Sequence, residues 1–414
     1  MTRDSMKTTE HLDAPWRTPA DAATAGGPLA GVRVLDLSAY IAGPYGCTLL
    51  GDQGADVLKI EPPGGDNLRN YPSTLESESR AFLGINRGKR GMALDLKSPV
   101  GLDVFKRLVR DADVVVHNFR PGVAQRLGIS FEALQQINPR LIYCALTGYG
   151  DAGPLKDKAG FDTVLQTLTG MCALQGPSGG PPEILYGSIV DYYSAALLAA
   201  GVASALYERE RSGVGQYVGV SLLRGALTMQ SARMVWAEGE PREVSRDMRS
   251  GGITGLHPTR DGYLFVSATT PHFWAALCEL AQLPDEARSE RFDTVRKRKQ
   301  HEKELIPMLR AALQAHTALE WEKIFGDRVP CAAVRNIEDM FDHPQVLSEG
   351  LVGEMEHPLV GRYRGFRHPI KFGRTPPQPP RAAPTFGQHS RAALQEAGYS
   401  TDEIDRLFSQ KAVQ

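Results

Sequence analysis

The sequence lacks the features of disulfide-rich and metal-binding proteins. Its 414 residues include only five cysteines, an odd and widely spaced set without a C-x-x-C pair, which argues against a disulfide framework or a zinc knuckle. The ten histidines form no H-E-x-x-H pair, so we predict no metal site. We expect reduced and mostly buried thiols at Cys47, Cys144, Cys172, Cys278 and Cys331.

Long apolar runs and an excess of one charge are also missing. No apolar run reaches the roughly 20 residues that a membrane span needs, and the acidic N-terminus has no apolar stretch typical of a secretory signal. The 47 Lys and Arg residues balance 48 Asp and Glu residues, so no bulk charge attracts nucleic acid or an anionic membrane. We expect a cytoplasmic protein with neither as a partner.

Common nucleotide-binding and hydrolase motifs are absent or badly placed. The first predicted strand is followed by Gly43 and Gly46 in the wrong spacing for G-x-G-x-x-G, and no P-loop signature occurs. The single G-x-S-x-G match, at 176–180, is surrounded by prolines, which prevents a strand-to-helix nucleophile elbow. These observations disfavour nicotinamide enzymes, P-loop ligases and α/β-hydrolases.

Apolar runs of strand length alternate with helical patterns from Pro28 onward. We predict strands at 32–37, 56–61, 113–119 and 140–150, and helices at 42–54 and 98–112. Such alternation predicts βαβ units on a parallel sheet. Because open α/β sheets bind ligands at the carboxyl ends of their strands, we expect the functional site there.

Composition also divides the chain into segments. A charged, glycine-bearing stretch precedes a second set of strands and helices, and prolines cluster at 372–386. The predicted organisation is a disordered tail at 1–27, a large α/β domain at 28–212, a linker at 213–244, a small domain at 245–340, a proline-rich linker at 341–389 and a C-terminal helix at 390–414 that returns to the large domain.

Two aspartates at predicted helix starts are the candidate functional groups. Asp191 opens a long Ala/Leu-rich helix at 188–211, and Asp162 lies 29 residues upstream in GFDTVLQTLTG. An aspartate at a helix start commonly caps the helix or interacts with its macrodipole. From the residues alone, that capping interpretation of Asp191 is favoured over a nucleophile.

Several segments together resemble the class III coenzyme A transferases, the CaiB/BaiF family. They are GVRVLDLSAYIAGPYG, NRGKRGMALDLKSPVG, ADVVVHNFRPGVAQRLGIS and GFDTVLQTLTG. The similarity extends from about Pro28 to the end of the chain. It implies a Rossmann-like large domain with a smaller α+β domain, an open-ring protomer and an interlocked homodimer.

The resemblance implies that Asp191, in GSIVDYYSAALLAAG, is the catalytic residue. Its carboxylate would attack an acyl-CoA thioester and pass CoA, as an aspartyl thioester, to a free carboxylic acid. No cofactor is bound permanently in such a reaction, because the CoA thioester is a substrate. Asp162 would support the site, and Gly251 and Gly252 would either cover it as a lid or form a plain interdomain turn.

The same matching implies which residues line the CoA cleft. They are Ile41, Ala42, Asn86, Lys89, Asn118, Phe119 and Arg126. Lys89 and Arg126 are expected to contact the nucleotide phosphates, because both cations suit phosphate oxygens.

One position separates two branches of the family. The α-methylacyl-CoA racemases abstract a proton with a histidine immediately before the first aspartate, whereas this chain has Phe161 there, and phenylalanine cannot carry a proton. We therefore predict CoA transfer, with succinyl-CoA as donor and a dicarboxylate or hydroxy-dicarboxylate as acceptor. A racemase and a non-catalytic CoA-binding protein are the alternatives.

Overall fold

The computed structural model describes residues 26–176, 180–241, 253–376, 379 and 381–414. The chain forms two compact units, one of Met1–Ala237 with Pro344–Gln414 and one of Glu238–His343. Three predictions concern residues outside the described ranges: nearly all of the tail at 1–27, most of the G-x-S-x-G match at 176–180, and the lid or turn at Gly251 and Gly252.

A six-stranded parallel sheet is the centre of the first unit. Its strands are β1 (Arg33–Asp36), β2 (Asp56–Glu61), β3 (Arg90–Ala93), β4 (Val114–His117), β5 (Ile142–Thr147) and β6 (Tyr217–Ser221). They lie in the order β3-β2-β1-β4-β5-β6, and all neighbours are parallel. This is the Rossmann order, which reverses between β1 and β4. The predicted parallel α/β sheet is confirmed.

Helices cover both faces of this sheet. They are α1 (Ala42–Asp52), α2 (Arg80–Ile85), α3 (Pro99–Arg110), α4 (Val123–Arg126), α5 (Phe131–Gln135), α6 (Asp162–Leu168), α7 (Ile189–Ser212) and α8 (Leu222–Thr228). Strand β6 and helix α8 occupy much of the segment predicted as a linker at 213–244. That segment is part of the sheet because Tyr217–Ser221 pairs with β5.

Alternating strand residues build one core on each face of the sheet, since successive side chains point to opposite faces. In β1, Val34 belongs to the core that includes Leu50 of α1 and Leu198 of α7. Its neighbour Leu35 belongs to the core that includes Phe105 of α3.

Helix α7 is the longest helix among the residues that the structure describes and confirms the predicted core helix at 188–211. It buries Val190, Leu198 and Val202 and packs against α1. Its length and composition would also suit a membrane span. That is weak evidence for a membrane location, because the buried helix of a domain core has the same properties.

The second unit has an α+β composition. Its three-stranded antiparallel sheet has the order β7-β8-β9. Its elements are β7 (Gly255–Pro258), β8 (Tyr263–Val266), α9 (Pro271–Leu280), α10 (Val295–Gln300), α11 (Glu302–Leu313), α12 (Ala318–Phe325) and β9 (Cys331–Ala333). Leu277, Leu309, Trp321 and Phe325 are buried in its core. The predicted small domain at 245–340 falls inside this unit.

The C-terminal segment of the first unit is more structured than predicted. The stretch 341–389, expected to be a linker, contains α13 (Pro344–Ser348) and the hairpin of β10 (Val352–His357) and β11 (Gly361–Phe366). The expected single helix at 390–414 is two helices, α14 (Ser390–Glu396) and α15 (Thr401–Ser409). A capping box of Ser400 with Glu403 starts the second helix.

Candidate active site

A cleft of about 220 Å³ opens at the carboxyl edge of the parallel sheet, within the first unit. It is lined by residues 40–42 after β1, 118–121 after β4, 146–148 at the end of β5 and 158–161 before α6, together with Asp191 of α7. This cleft lies at the carboxyl ends of the strands, where the sequence analysis expects the site, and it includes the reversal point between β1 and β4.

The start of α7 is capped from another helix. Ser188 precedes α7 in a left-handed conformation (φ 56°) and makes no capping hydrogen bond with its side chain. Asp162 Oδ2 instead accepts hydrogen bonds from the backbone N–H groups of Val190 (2.6 Å) and Asp191 (3.2 Å). These are donors that a helix start leaves without an intrahelical partner. Asp162 is therefore the cap of α7.

Gln166 holds the Asp162 carboxylate in place. The buried Gln166 amide donates from Nε2 to Asp162 Oδ1 (2.5 Å) and to the backbone oxygen of Leu185 (2.9 Å). Its Oε1 accepts a hydrogen bond from the Leu185 N–H (3.0 Å). Both oxygens of Asp162 are thus engaged, and the amide that orients them is itself fixed.

The Asp191 carboxylate remains available to the cleft. Among the residues that the structure describes, none donates a hydrogen bond to its oxygens, and its backbone N–H is the group that binds Asp162. Burial raises the pKa of Asp191 to about 7, and the negative charge of Asp162 acts in the same direction. Such a carboxylate can act near neutral pH as a nucleophile or a base. Within the described part of the chain, the Asp191 side chain therefore makes no capping hydrogen bond, although its place in the first turn of α7 still suits the helix macrodipole.

Four of the predicted CoA-binding residues share the cleft with Asp191. Ile41, Ala42, Asn118 and Phe119 all line it. Asn118 also fixes the neighbouring loop, because its Oδ1 accepts from the Ala39 N–H (2.9 Å) and its Nδ2 donates to the Ala39 oxygen (2.7 Å).

Lys89 and Asn86 lie in the interior rather than on a ligand surface. The buried Lys89 ammonium donates to Asp36 Oδ2 (2.7 Å), to the Pro44 oxygen (2.7 Å) and to Asn86 Oδ1 (2.8 Å). These three bonds use all the hydrogens of an ammonium group. In this conformation none is left for a phosphate, so we assign Lys89 and Asn86 a supporting role instead of the expected contact with CoA.

Arg126 is exposed at the end of α4 and is not among the residues that line the cleft. The cations that do line it are Arg120 and Lys158, which the sequence analysis missed. Both are exposed, and an exposed Arg or Lys is usually solvated surface. The sequence could have indicated Arg120 as a cleft residue, because it follows the same strand end as Asn118.

Phe161 stands at the position where a racemase would carry its histidine. Its ring lines the cleft, is 53% exposed and meets the edge of the Tyr40 ring at 5.9 Å between centroids. Position 161 therefore presents an apolar surface to the cleft, with no group that can transfer a proton.

Comparison with known proteins assigns the chain to a family. Residues 29–390 match the model of CoA-transferase family III. The chain is 32% identical to succinyl-CoA:glutarate CoA-transferase of Mus musculus, over 92% of this chain and 89% of that protein. It is also 32% identical to succinate–glutarate CoA-transferase of Agrobacterium fabrum, over 89% and 95% of the two chains.

A solved structure shows the same fold. The CaiB/BaiF family protein from Brucella suis superimposes with a TM-score of 0.79 at 28% identity, covering 90% of this chain and 100% of that one. The sequence match and the structural match both extend over most of the chain. The protein is therefore a member of CoA-transferase family III.

Proposed function

We propose that this protein is an acyl-CoA:carboxylate CoA-transferase in which Asp191 is the nucleophile. The observation that carries the proposal is that two different aspartates lie at the start of α7, one that caps the helix and one that faces the cleft. Asp162 caps the helix, so the carboxylate of Asp191 faces the cleft with a pKa raised by burial. If the Asp191 carboxylate capped α7 itself, it would be occupied by the helix N–H groups and could not attack a substrate.

In the first half-reaction, an Asp191 oxygen attacks the thioester carbonyl of the acyl-CoA donor. The carbon–sulfur bond breaks, CoA leaves as a thiolate, and an aspartyl–acyl mixed anhydride forms. The thiolate then attacks the aspartyl carbonyl carbon and expels the donor acid as a carboxylate. The product is an aspartyl-CoA thioester on the enzyme.

The second half-reaction repeats these steps in reverse with a different acid. The acceptor carboxylate attacks the aspartyl thioester, which gives a second mixed anhydride and releases CoA thiolate. The thiolate attacks the acceptor's acyl carbon, and Asp191 leaves as a carboxylate. One thioester replaces another of similar energy, so the exchange follows a ping-pong order without an added energy source.

The rest of the cleft suits this substrate. Arg120 and Lys158 line the same cleft as Asp191, where their positive charges can pair with anionic groups of the acyl-CoA or of the acid. Ile41, Ala42 and Phe119 offer apolar surface, and Asn118 fixes the loop that carries the first two. We propose these residues as the substrate-binding wall.

The names of the relatives suggest the two acids. Those from Mus musculus and Agrobacterium fabrum are named for succinate or succinyl-CoA and glutarate. We propose that succinyl-CoA is the donor here and that a dicarboxylate or hydroxy-dicarboxylate is the acceptor.

A labelling experiment tests the covalent step. We expect intact-protein mass spectrometry to show a CoA adduct after incubation with succinyl-CoA, and peptide mapping after hydroxylamine treatment to place a hydroxamate at Asp191. Adding glutarate should discharge the adduct. Asp191→Asn should stay unlabelled, whereas the control Asp157→Asn, which changes an exposed aspartate of the same unit, should label like the parent. Labelling of Asp191→Asn would refute the proposal.

A solvent-exchange experiment separates transfer from racemisation. A racemase in D₂O would introduce deuterium at the α-carbon of a 2-methylacyl-CoA, because it removes that proton. With Phe161 in place of the first base, we expect no such exchange while CoA transfer proceeds. Exchange without transfer would favour the racemase, and CoA binding with neither reaction would favour a non-catalytic binding protein.

We also propose the interlocked homodimer and the cytoplasmic location that the family resemblance implies. Native mass spectrometry should show a dimer. Its subunits should exchange with those of a mass-labelled copy only after unfolding. Rapid exchange or a monomer would contradict the interlocked arrangement.

A further inference from the structure

The loop between β1 and α1 has an unusual backbone. Tyr40 adopts a left-handed conformation with φ of 66°, which costs free energy for a residue with a bulky side chain. Such a conformation persists only when the surrounding contacts determine it. Tyr40 and Ile41 both line the cleft, so these contacts bear on the shape of the active site.

Side chains from outside the cleft bind the backbone of this loop. Asp66 Oδ1 accepts a hydrogen bond from the Tyr40 N–H (3.2 Å). The Lys59 ammonium donates to the Ser38 oxygen (2.9 Å). At the tip of the tyrosine, Asn67 Nδ2 donates to the Tyr40 hydroxyl (2.9 Å). Tyr40 is thus held at its backbone and at the far end of its side chain.

Lys59 and Asp66 form a buried ion pair beneath the loop. Lys59 Nζ lies 2.8 Å from Asp66 Oδ2, and the exposed fractions of the two side chains are 0% and 1%. Asp66 also caps the short 3-10 helix Asn67–Asn70 by accepting from the Leu68 N–H (3.0 Å). Its own N–H donates to Glu61 Oε2 (2.9 Å) at the end of β2. These contacts hold Asp66 in place independently of its hydrogen bond with Tyr40.

Tyr40 connects this pair to the other side of the cleft. Its ring meets Phe161 edge-on, with an interplanar angle of 82°. Phe161 directly precedes Asp162, which caps α7 beside Asp191. A change in the position of Tyr40 would therefore alter the part of the cleft wall that Tyr40 and Phe161 form.

We infer that Lys59 and Asp66 are positioning residues for the reaction at Asp191. The pair holds Tyr40 in its left-handed conformation and so fixes the cleft wall that Tyr40 forms against Phe161. Neither residue touches the cleft, and their effect on the reaction passes through Tyr40. This inference rests on the proposed CoA-transferase function.

A double-mutant cycle distinguishes positioning from general stabilisation. Asp66→Asn removes the ion pair, and Tyr40→Gly removes the cost of the left-handed backbone, because glycine adopts it freely. With Tyr40 present, we expect Asp66→Asn to lower kcat at saturating succinyl-CoA roughly tenfold, the size of a small displacement near a reacting group. In the Tyr40→Gly background, the same change should cost less than about twofold.

If Tyr40→Gly alone is too slow to assay, Tyr40→Asn serves as the background, because asparagine also tolerates this conformation. As a matched control, Asp52→Asn breaks the buried Arg87–Asp52 pair elsewhere in the unit and should lower the Tm while leaving kcat unchanged in either background. Equal losses of kcat from Asp66→Asn in both backgrounds would refute the positioning role.

A second readout does not depend on activity. In hydrogen–deuterium exchange, the backbone amides of 38–42 should exchange at least about tenfold faster in Asp66→Asn than in the parent, because the loop loses the Lys59–Asp66 ion pair that holds it. Unchanged exchange would overturn the inference. If the parent exchanges slowly but transfers no CoA from any acyl-CoA, the proposed function fails while the structural link from Asp66 to Tyr40 stands.

Discussion

Two groups of carboxylates, wholly or partly buried in the first unit, lie near the same sheet edge but have opposite electrostatic surroundings. Asp36, at the end of β1, pairs with Lys89 at 2.7 Å. Asp191, at the start of α7, has another acid as its charged neighbour, Asp162. The first group neutralises its charge within the protein, whereas the second leaves a negative charge facing the cleft.

The pKa values follow this difference. Burial alone would raise the pKa of Asp36, but the charges of Lys89 and Lys59 outweigh it and hold the pKa below its usual value. Burial raises the pKa of Asp191 to about 7, with Asp162 adding to the effect. The comparison teaches that the charged partner decides whether a buried carboxylate is a stable structural group or a reactive one.

The largest expected effect is on turnover at the reactive aspartate. Asp191→Asn keeps the shape of the side chain but removes the nucleophilic oxygen, so CoA transfer from succinyl-CoA to glutarate should fall at least about 10⁴-fold. Chromatographic separation of the two thioesters measures this loss. Asp157→Asn should stay within about twofold of the parent, and comparable activity of the two variants would exclude Asp191 as the relay.

The second prediction breaks the neutralised group. Asp36→Asn leaves the Lys89 ammonium buried without its partner carboxylate, which should lower the free energy of unfolding by about 3–5 kcal/mol. Urea denaturation measures the change. The exposed pair of Arg391 and Asp405 provides the control, since Asp405→Asn should cost less than about 1 kcal/mol. If Asp36→Asn also lowered the free energy of unfolding by less than about 1 kcal/mol, the Asp36–Lys89 pair would not be required for stability.

The third prediction has the opposite sign. The folded-state pKa of Asp191, about 7, lies above its ordinary value of 3.8, so the folded protein holds that proton more tightly and loses stability as the pH rises between these values. At pH 8, Asp191→Asn should therefore be more stable than the parent by about 1–3 kcal/mol.

Thermal unfolding across pH 4 to 8 tests this sign. The difference between Asp191→Asn and the parent should grow with pH and become small near pH 4, where Asp191 is protonated in the folded state and close to half protonated in the unfolded state. A variant that is less stable than the parent at pH 8 would show that the Asp191 carboxylate contributes to folding.

The smallest effect concerns the like-charged neighbour. In the parent, kcat/KM should rise with pH, and the midpoint of the rise should lie near pH 7, where Asp191 of the free enzyme ionises. Asp162→Asn keeps an oxygen that can cap α7 but removes the negative charge, so the midpoint should fall by about 0.5–1 pH unit. Burial is the larger cause and persists, so the midpoint should not return to 3.8. An unchanged midpoint would mean that burial alone sets it.

Much of the fold could be predicted from the sequence because strand and helix periods differ clearly. The buried strands β4 and β5 are short, largely apolar runs, β1 and β2 carry apolar residues between charged ones, and α7 is largely apolar up to Tyr207. Strand β3 was missed because Arg90–Ala93 is four residues long and contains a glycine, which has low strand propensity. Local patterns also could not show that β6 would join the sheet, since that pairing depends on distant residues.

The sequence indicated where the cleft lies and four of the residues that line it. Family resemblance implies that Asp191 is the nucleophile, which stays a prediction, whereas the residues alone favoured a cap. That Asp162 caps α7 could be recognised only from its hydrogen bonds with the N–H groups of Val190 and Asp191. Lys89 shows the reverse difficulty. The family resemblance implied that Lys89 contacts a phosphate, whereas its burial against Asp36 arises because β1 and β3 lie on either side of β2.

The capping of α7 by Asp162 has a practical consequence for chemical trapping. Because the helix start does not depend on the side chain at position 191, that side chain can be exchanged without unravelling the first turn. An amide at this position retains the size of the carboxylate, so Asp191→Asn should hold an intact acyl-CoA in the cleft. Crystals of that variant would capture the substrate complex before any bond has broken.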